Sequence, residues 1–304
     1  MDGLSADDTA WLVDASMYVF RGWHAYPADA FRDADGHPAN ATYGFVRFLL
    51  DFLERLRPAR VLLAFDVALA SSFRNLLYPA YKGNRDPAPA ELLRQFDACR
   101  AFSEAFGLST HAHASYEADD LIGTAARRAR AEGLACVIVS ADKDFGQLLH
   151  QGNQQWDWAR DSRWGREGVH QRFGVWPEQL CDFLGLCGDA ADNIPGVPGI
   201  GAKTAARLLA QYGDLESLLA RTGELAASRT LRGAPLLAAR LDHHAEAARL
   251  YRRLATIDCE APLPDHCLAR GAGDAARLQD LLRRHRFGPH TSARALALLE
   301  DLPA

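Results

Sequence analysis

Val61-Leu-Leu-Ala-Phe-Asp66 is an unbroken apolar run closed by a carboxylate. A run this short and this apolar predicts a strand buried on both faces, and the acid at its end predicts a site at the carboxyl edge of a sheet. The pattern recurs upstream in Trp11-Leu-Val-Asp14 and downstream in Ala135-Cys-Val-Ile-Val-Ser140, which leads into the acidic turn Asp142-Lys-Asp144. Between these runs, apolar residues at helical spacing (Phe45, Phe48, Leu49, Phe52, Leu53, Leu56) predict a helix over 40–56 that stops before Pro58. Further helices are expected over 90–106 and 116–130. Alternating strands and helices predict an α/β fold with a mostly parallel central sheet flanked by helices. Asp14, Asp66, Asp142 and Asp144 then sit together at the carboxyl ends of the strands.

Residues 71–91 depart from this pattern, being basic, aromatic and broken by Pro79, Pro87 and Pro89. So long an excursion points to function rather than scaffold. Trp156, Trp158 and Trp164 mark an expected hairpin, and these rings read as core rather than as base-stacking platforms. Beyond Gly174 the strand signals stop, and helices are expected at 177–186, 202–212, 215–221, 234–254, 275–285 and 291–301. The expected division is an α/β domain over 1–173 and a helical domain over 174–304.

Apolar residues at 48% and charged residues at 24% suit a soluble globular enzyme. The acidic N-terminus has no signal-sequence pattern and no apolar run reaches membrane-span length, so no membrane partner is expected. Six cysteines (Cys99, Cys136, Cys181, Cys187, Cys259, Cys267) show neither a CxxC pair nor zinc spacing, which fits reduced thiols in the cytoplasm. The net charge of -5 opposes DNA binding unless many of the 39 acids gather around bound cations.

Acids arrive from five segments: Asp14, Asp66, Glu117/Asp119/Asp120, Asp142/Asp144 and Asp189/Asp192. Singly, each has an ordinary structural reading. Glu117, Asp119 and Asp120 suit the first turn of a helix, Asp142 or Asp144 a helix cap, and Asp189 and Asp192 a turn. As a converging set they cannot all stay ionised near neutral pH without cations. Oxygen-only donors suit Mg²⁺ or Mn²⁺ rather than zinc. Two such ions about 3.5–4 Å apart activate water and stabilise the leaving oxygen of a phosphodiester. His24, His111 and His113 lack ligand spacing, and Arg127, Arg128 and Arg130 read as a solvated helix face.

Gly196-Val-Pro-Gly-Ile-Gly201 followed by Ala202-Lys-Thr-Ala-Ala-Arg207 has a helix-hairpin-helix pattern, placed at about 188–212. Gly196, Gly199, Ile200 and Gly201 bring backbone close to a phosphate, and Lys203 and Thr204 stand at the helix start. A tight turn between packed helices is the alternative. In the excursion, Lys82 and Arg85 are candidates to bind the scissile phosphate, and Tyr81 to stack on an unpaired base. Arg21 is a further phosphate candidate.

Leu12-Val-Asp14, Ala64-Phe-Asp66, Ser72-Phe-Arg74, Tyr81-Lys-Gly-Asn-Arg85, Tyr116-Glu-Ala-Asp-Asp120, Ala141-Asp-Lys-Asp144 and Gly188-Asp-Ala-Ala-Asp-Asn-Ile-Pro-Gly-Val-Pro-Gly-Ile-Gly201 resemble, in order, the motifs of the bacterial 5′ nucleases. That family comprises the 5′ nuclease domain of DNA polymerase I, its stand-alone relatives and the flap endonucleases. Ala255-Thr-Ile-Asp258 with Pro262-Leu263 resembles its closing segment, so the resemblance covers about residues 10–260. It implies a PIN-like nuclease core, an arch over the active site at about 72–100 carrying Arg74, Tyr81, Lys82 and Arg85, and two-metal-ion cleavage of DNA at 5′ ends, nicks or 5′ flaps. Carried over by position, Asp14, Asp66, Glu117 and Asp119 hold one metal ion. Asp119, Asp142, Asp144 and Asp189 hold the other, with Asp120 and Asp192 as outer ligands.

The resemblance also implies K⁺ at the hairpin, RNA primers among the substrates, and a monomer at the nucleoid in replication or repair. The chain ends without a polymerase region, so a free-standing enzyme is expected. Ala191 departs from a frequent Ser, and residues 67–71 have no placement in the pattern. The rival readings are a DNA-junction or flap-binding protein with weak catalysis, from which acids should be missing, and a ribonuclease of the same acidic class, which a duplex grip disfavours. A small-molecule phosphatase needs neither arch nor hairpin.

Overall fold

The computed structural model describes residues 8–67 and 71–302, so residues 68–70 of the unplaced stretch lie outside it. In chain order, β1 (Thr9–Asp14), α1 (Ala15–Ala25), α2 (Asn40–Leu56) and β2 (Arg60–Asp66) are followed by the short α3 (Phe73–Leu77) and by α4 (Ala90–Ala105). Next come β3 (Ser109–His113), α5 (Ala118–Ala131), β4 (Ala135–Val139), β5 (Gln154–Asp157), β6 (Ser162–Trp164), α6 (Arg166–Phe173), α7 (Leu180–Cys187) and α8 (Ala202–Tyr212). The remainder is α9 (Leu215–Ala220), α10 (Thr222–Ala226), α11 (Ala234–His243), α12 (Ala245–Ala255), α13 (Ala275–Arg284) and α14 (Pro289–Asp301). Two compact units draw on interleaved stretches. The first is Met1–Leu69, Pro87–Ser140 and Asp258–Ala304, and the second is Ala70–Asp86 and Ala141–Ile257.

In the first unit the strand order is β3-β2-β1-β4, all parallel. The α/β fold and its parallel sheet are as expected from the apolar runs. Every residue of β1 is buried, as a strand covered on both faces requires. Register pairs Asp14 with Ala64 and Asp66 with His113, so both acids end their strands at the same edge. Helices α1 and α2 approach closely because Gly22 and Gly44 lack side chains: a Cβ on Gly44 would lie 2.7 Å from Gly22 Cα. Tyr18 and Phe48 stack at 3.7 Å across the same pair. Phe45 and Phe52 on α2 are fully buried, each contributing roughly 2–3 kcal/mol. The first amides of α2 are met by Gln95 of α4, whose Oε1 accepts from Ala41 N at 2.7 Å and Thr42 N at 3.1 Å.

In the second unit β5 and β6 form the expected antiparallel hairpin, with Trp156 fully buried beneath it. Helices α7 and α8 frame a core that includes Leu180, Phe183, Leu186, Leu208 and Tyr212. The expected helix over 234–254 is two helices, because the backbone leaves helical geometry at His244 (φ -107, ψ 17). Helices α1, α3, α6 and α10 and strand β3 were not expected. Helix α1 carries Val19, Phe20 and Gly22 in its interior and hides from propensity reasoning, whereas β3 (Ser-Thr-His-Ala-His) has no apolar alternation.

Candidate metal centre and nucleic-acid grip

The acids of the first unit are held by the ends of its strands and helices. Asp14 closes β1 and caps α1, accepting from Met17 N at 3.1 Å, and Ser140 Oγ donates to its other oxygen at 2.9 Å. Asp66 closes β2. Its amide donates to Ser16 Oγ at 2.7 Å, and its carboxylate accepts Ala118 N at 2.8 Å, which ties it to the start of α5. Glu117 and Asp119 stand at that start, Glu117 buried and Asp119 half-buried. Asp120 is fully buried, and each of its oxygens accepts a main-chain amide: Glu117 N at 3.0 Å and Asp258 N at 2.8 Å. Those bonds give Asp120 the task of fixing Glu117 and the returning chain.

In the second unit Asp144, Asp189 and Asp192 each bring a carboxylate oxygen within 4.8 Å of the others, and among the described residues they are the one such acidic group. Asp142 is exposed and caps a 3₁₀ turn over Lys143–Leu148, accepting from Asp144 N at 3.0 Å. The capping reading and the approach of Asp144 to the cluster thus go together. Among the described residues, Asp144 Oδ1 is buried without a hydrogen-bond partner, and the Lys143 ammonium pairs with it at 3.3 Å. Lys143 also donates to Asp189 Oδ2 at 2.6 Å. Burial opposes its charge, yet Asp144 and Asp189 outweigh that and hold the Lys143 pKa above the ordinary lysine value. Three carboxylates, one of them with an oxygen that has no hydrogen bond, are a donor set that fits a hard divalent ion, and the Lys143 ammonium drawn among them shows that the group attracts a cation.

Burial, reinforced by Asp142, pushes the Asp144 carboxyl up to about 7; Lys143 offsets part of this, and Asp192 and Asp189 add to it. The raised value means that the folded chain holds this proton more tightly than the unfolded chain. Asp144 therefore subtracts stability as pH climbs from the ordinary carboxylate range toward 7. A divalent ion must displace the same proton. The apparent affinity for Mn²⁺, followed by calorimetry between about pH 5.5 and 8, is expected to rise about tenfold per pH unit up to about 7 and then level off. A flat profile below 7 would count against Asp144 as a ligand.

The excursion folds onto this cluster within the second unit. Tyr81 OH donates to Asp192 Oδ2 at 2.9 Å, Arg85 Nη2 to Asp192 Oδ1 at 2.8 Å, and Lys82 Nζ lies 3.9 Å away. Two further bonds lock the same turn: Lys82 N donates to Asp192 O at 3.0 Å, and the Asn84 side-chain Nδ2 donates to Ala190 O at 2.9 Å. Tyr81 is 2% exposed, so the stacking role read from the sequence has no open ring face to act through. Arg74 is also 2% exposed, and its guanidinium donates to Leu254 O at 2.9 Å and Thr256 O at 2.8 Å. It is spent on main-chain carbonyls rather than presented to a phosphate. Arg85 is exposed and Lys82 half-buried beside the cluster, and Arg21 is exposed on α1. Sequence reasoning passed over Lys143 and Ser140, although each adjoins or nearly adjoins Asp142.

The glycine-rich stretch forms a tight hairpin between α7 and α8. Val197 N donates to Leu186 O at 2.8 Å and Ile200 N to Val197 O at 3.0 Å, so Val197 and Ile200 are buried as its anchors. Gly196 (φ +71) cannot be replaced without strain, because a Cβ there would overlap the Cys187–Gly188 peptide. Gly199, Gly201 and Lys203 are exposed and Thr204 half-buried, and Gly201 precedes α8 as its cap with no side-chain capping bond. An open helix start with an adjacent lysine suits a phosphate.

Residues 9–174 match the family described as 5′-3′ exonuclease, N-terminal resolvase-like domain, and residues 175–272 match its C-terminal SAM fold. The chain belongs to the 5′-3′ exonuclease family. Among curated members, DNA polymerase I of Rhizobium leguminosarum is 40% identical over 263 residues, covering 84% of this chain and 25% of that protein. DNA polymerase I of Bacillus caldotenax is 37% identical over 257 residues, covering 83% of this chain and 28% of that one. This exonuclease-family chain thus spans about a quarter of the length of the curated relatives it matches. Its fold is shared with T5 5′-exonuclease, solved with bound divalent zinc ions (TM-score 0.65, 18% identity, 97% of this chain and 99% of that one). It is shared also with the catalytic core of Rad2 in complex with DNA substrate (TM-score 0.64, 16% identity, 98% and 92%). Among the described residues, no helix of the exonuclease-family chain is long and apolar enough to cross a membrane.

Proposed function

We propose that the chain is a structure-specific 5′ nuclease that hydrolyses DNA phosphodiester bonds at 5′ ends and 5′ flaps, using divalent metal ions, in replication or repair. The observation that carries this is the convergence of Asp144, Asp189 and Asp192, with the orphaned Asp144 oxygen, in a member of this exonuclease family. Those three residues would hold one Mg²⁺ or Mn²⁺ ion, and Asp14, Asp66, Glu117 and Asp119 a second. Such ions, when bound, neutralise the phosphodiester and lower the pKa of water. Asp120 and Asp142 act as positioning residues through the amides they cap. Arg85 and Lys82 exchange their pairing with Asp192 for the substrate phosphate, a transfer between acceptors of like charge.

The hairpin from Gly196 to Gly201, with Ile200, Lys203 and Thr204, grips duplex backbone, and K⁺ at its carbonyls would add to that grip. Arg21 adds a further phosphate contact. The sequential domains over 1–173 and 174–304, with an arch at about 72–100, belong to the same proposal. So do DNA and RNA-primer ends as substrates and a monomer working at the nucleoid in the cytoplasm. A panel of end-labelled 5′-flap, 3′-flap, nicked and single-stranded DNA, with a matched RNA-tipped flap, tests the polarity. Cleavage confined to substrates with a 5′ end at the junction is expected; equal cutting of the 3′ flap would overturn the reading.

A further inference from the structure

Helix α11 carries Arg240 to the hairpin. Its guanidinium lies directly over Gly199: a Cβ built on that glycine would overlap Arg240 Nη1 and stand 2.9 Å from Cζ. Gly199 is fixed by its left-handed backbone (φ +79), and the guanidinium rests in the space that its missing side chain leaves. Arg240 is half-buried, yet among the described residues its guanidinium makes no hydrogen bond and no ion pair. Arg207 of the same unit donates to Thr230 O at 2.8 Å, and Arg221 to Tyr212 O at 2.7 Å and Ser217 O at 3.1 Å, whereas Arg229, Arg232 and Arg253 are exposed. A half-buried guanidinium that no protein group engages keeps its planar fork of donors available to an acceptor from outside.

We propose that Arg240 is a phosphate-binding residue of the hairpin, supplying from α11 the planar fork that Gly196–Gly201 lacks, and that the acceptor is the sugar-phosphate backbone of duplex DNA. Several features select that ligand. The hairpin beneath the guanidinium is exposed main chain at Gly199 and Gly201, Lys203 stands exposed at the start of the next helix, and a phosphate accepts from a guanidinium in bidentate geometry. A carboxylate offers the same geometry. The unit already has acids available to it, however, and none is paired with Arg240 while Glu216 takes both Arg249 and Arg252. The inference rests on the duplex grip proposed above and adds to it a residue from a distant helix.

The test is equilibrium binding of a short blunt DNA duplex to the full chain in Ca²⁺, across a salt series, for wild type, Arg240→Ala and Arg240→Lys. Arg240→Ala is expected to bind about tenfold more weakly and to lower the slope of log affinity against log salt by about one, uniformly across duplex sequences. Arg240→Lys should restore the slope while recovering only part of the affinity, since it keeps the charge and loses the fork. All three should share one melting temperature. A steep wild-type slope left unchanged by Arg240→Ala would overturn the assignment of Arg240 alone. Absence of any salt-dependent duplex binding by wild type would overturn the duplex grip itself and the assignment with it.

Discussion

Replacing Asp144 by alanine is expected to lower single-turnover cleavage of a 5′-flap duplex in Mg²⁺ by at least about a hundredfold, the scale of losing one preorganised group that stabilises charge in a transition state. Asp144 is the member of the acidic trio whose buried Oδ1 has no hydrogen bond and is paired with the Lys143 ammonium at 3.3 Å, a position that a divalent ion would contest. The loss should appear in the chemical step and in Mn²⁺ affinity, not in folding. Asp144 carries a carboxyl whose ionised form burial disfavours, so the alanine variant gives up little native stability in EDTA. A variant that cleaves at the wild-type rate would remove Asp144 from the metal centre. A variant that fails only because it melts at the assay temperature would place it in the scaffold.

Arg74→Ala is expected to behave in the opposite way. Its guanidinium is buried, stacks over Phe73 at 4.6 Å and serves the carbonyls of Leu254 and Thr256 at the end of α12. Removing it strands those acceptors and opens a cavity, a cost of about 3 kcal/mol. Thermal melting should record this as a fall of roughly 5–10 °C, with cleavage per folded molecule within about threefold of wild type. An unchanged melting temperature with lost cleavage would return Arg74 to the catalytic role suggested by its place in the basic excursion.

The contrast between those two residues shows where sequence was sufficient. Apolar runs ending in acids located β1, β2 and β4 because a strand covered on both faces leaves no other pattern. Helix α2 was legible to both ends, from the spacing of its phenylalanines and from Pro58. Helix α1 was not, although Asp14 followed by Met17 holds its cap; an acid already explained as a ligand candidate hid a second task. Strand β3 is a polar edge whose pairing comes entirely from β2. At the site, residue type announced carboxylates, tyrosine and arginine, but burial decided what each does. Tyr81 and Arg74 look alike in sequence to residues that face a substrate, and only the packing around them shows that they face protein. Arg240 escaped notice for the converse reason: its neighbours in sequence are an ordinary helix, and its partner Gly199 lies far away in the chain.

The central claim is that the gathered acids serve divalent ions that cut DNA at a 5′ end. It is tested most directly by incubating the full chain with a flap duplex labelled at the flap's 5′ terminus, in Mg²⁺ and in EDTA. The label is expected to leave as a short single-stranded fragment in Mg²⁺ and to stay on the duplex in EDTA. Release at the same rate in EDTA, or a substrate left intact at every Mg²⁺ and Mn²⁺ concentration, would contradict it.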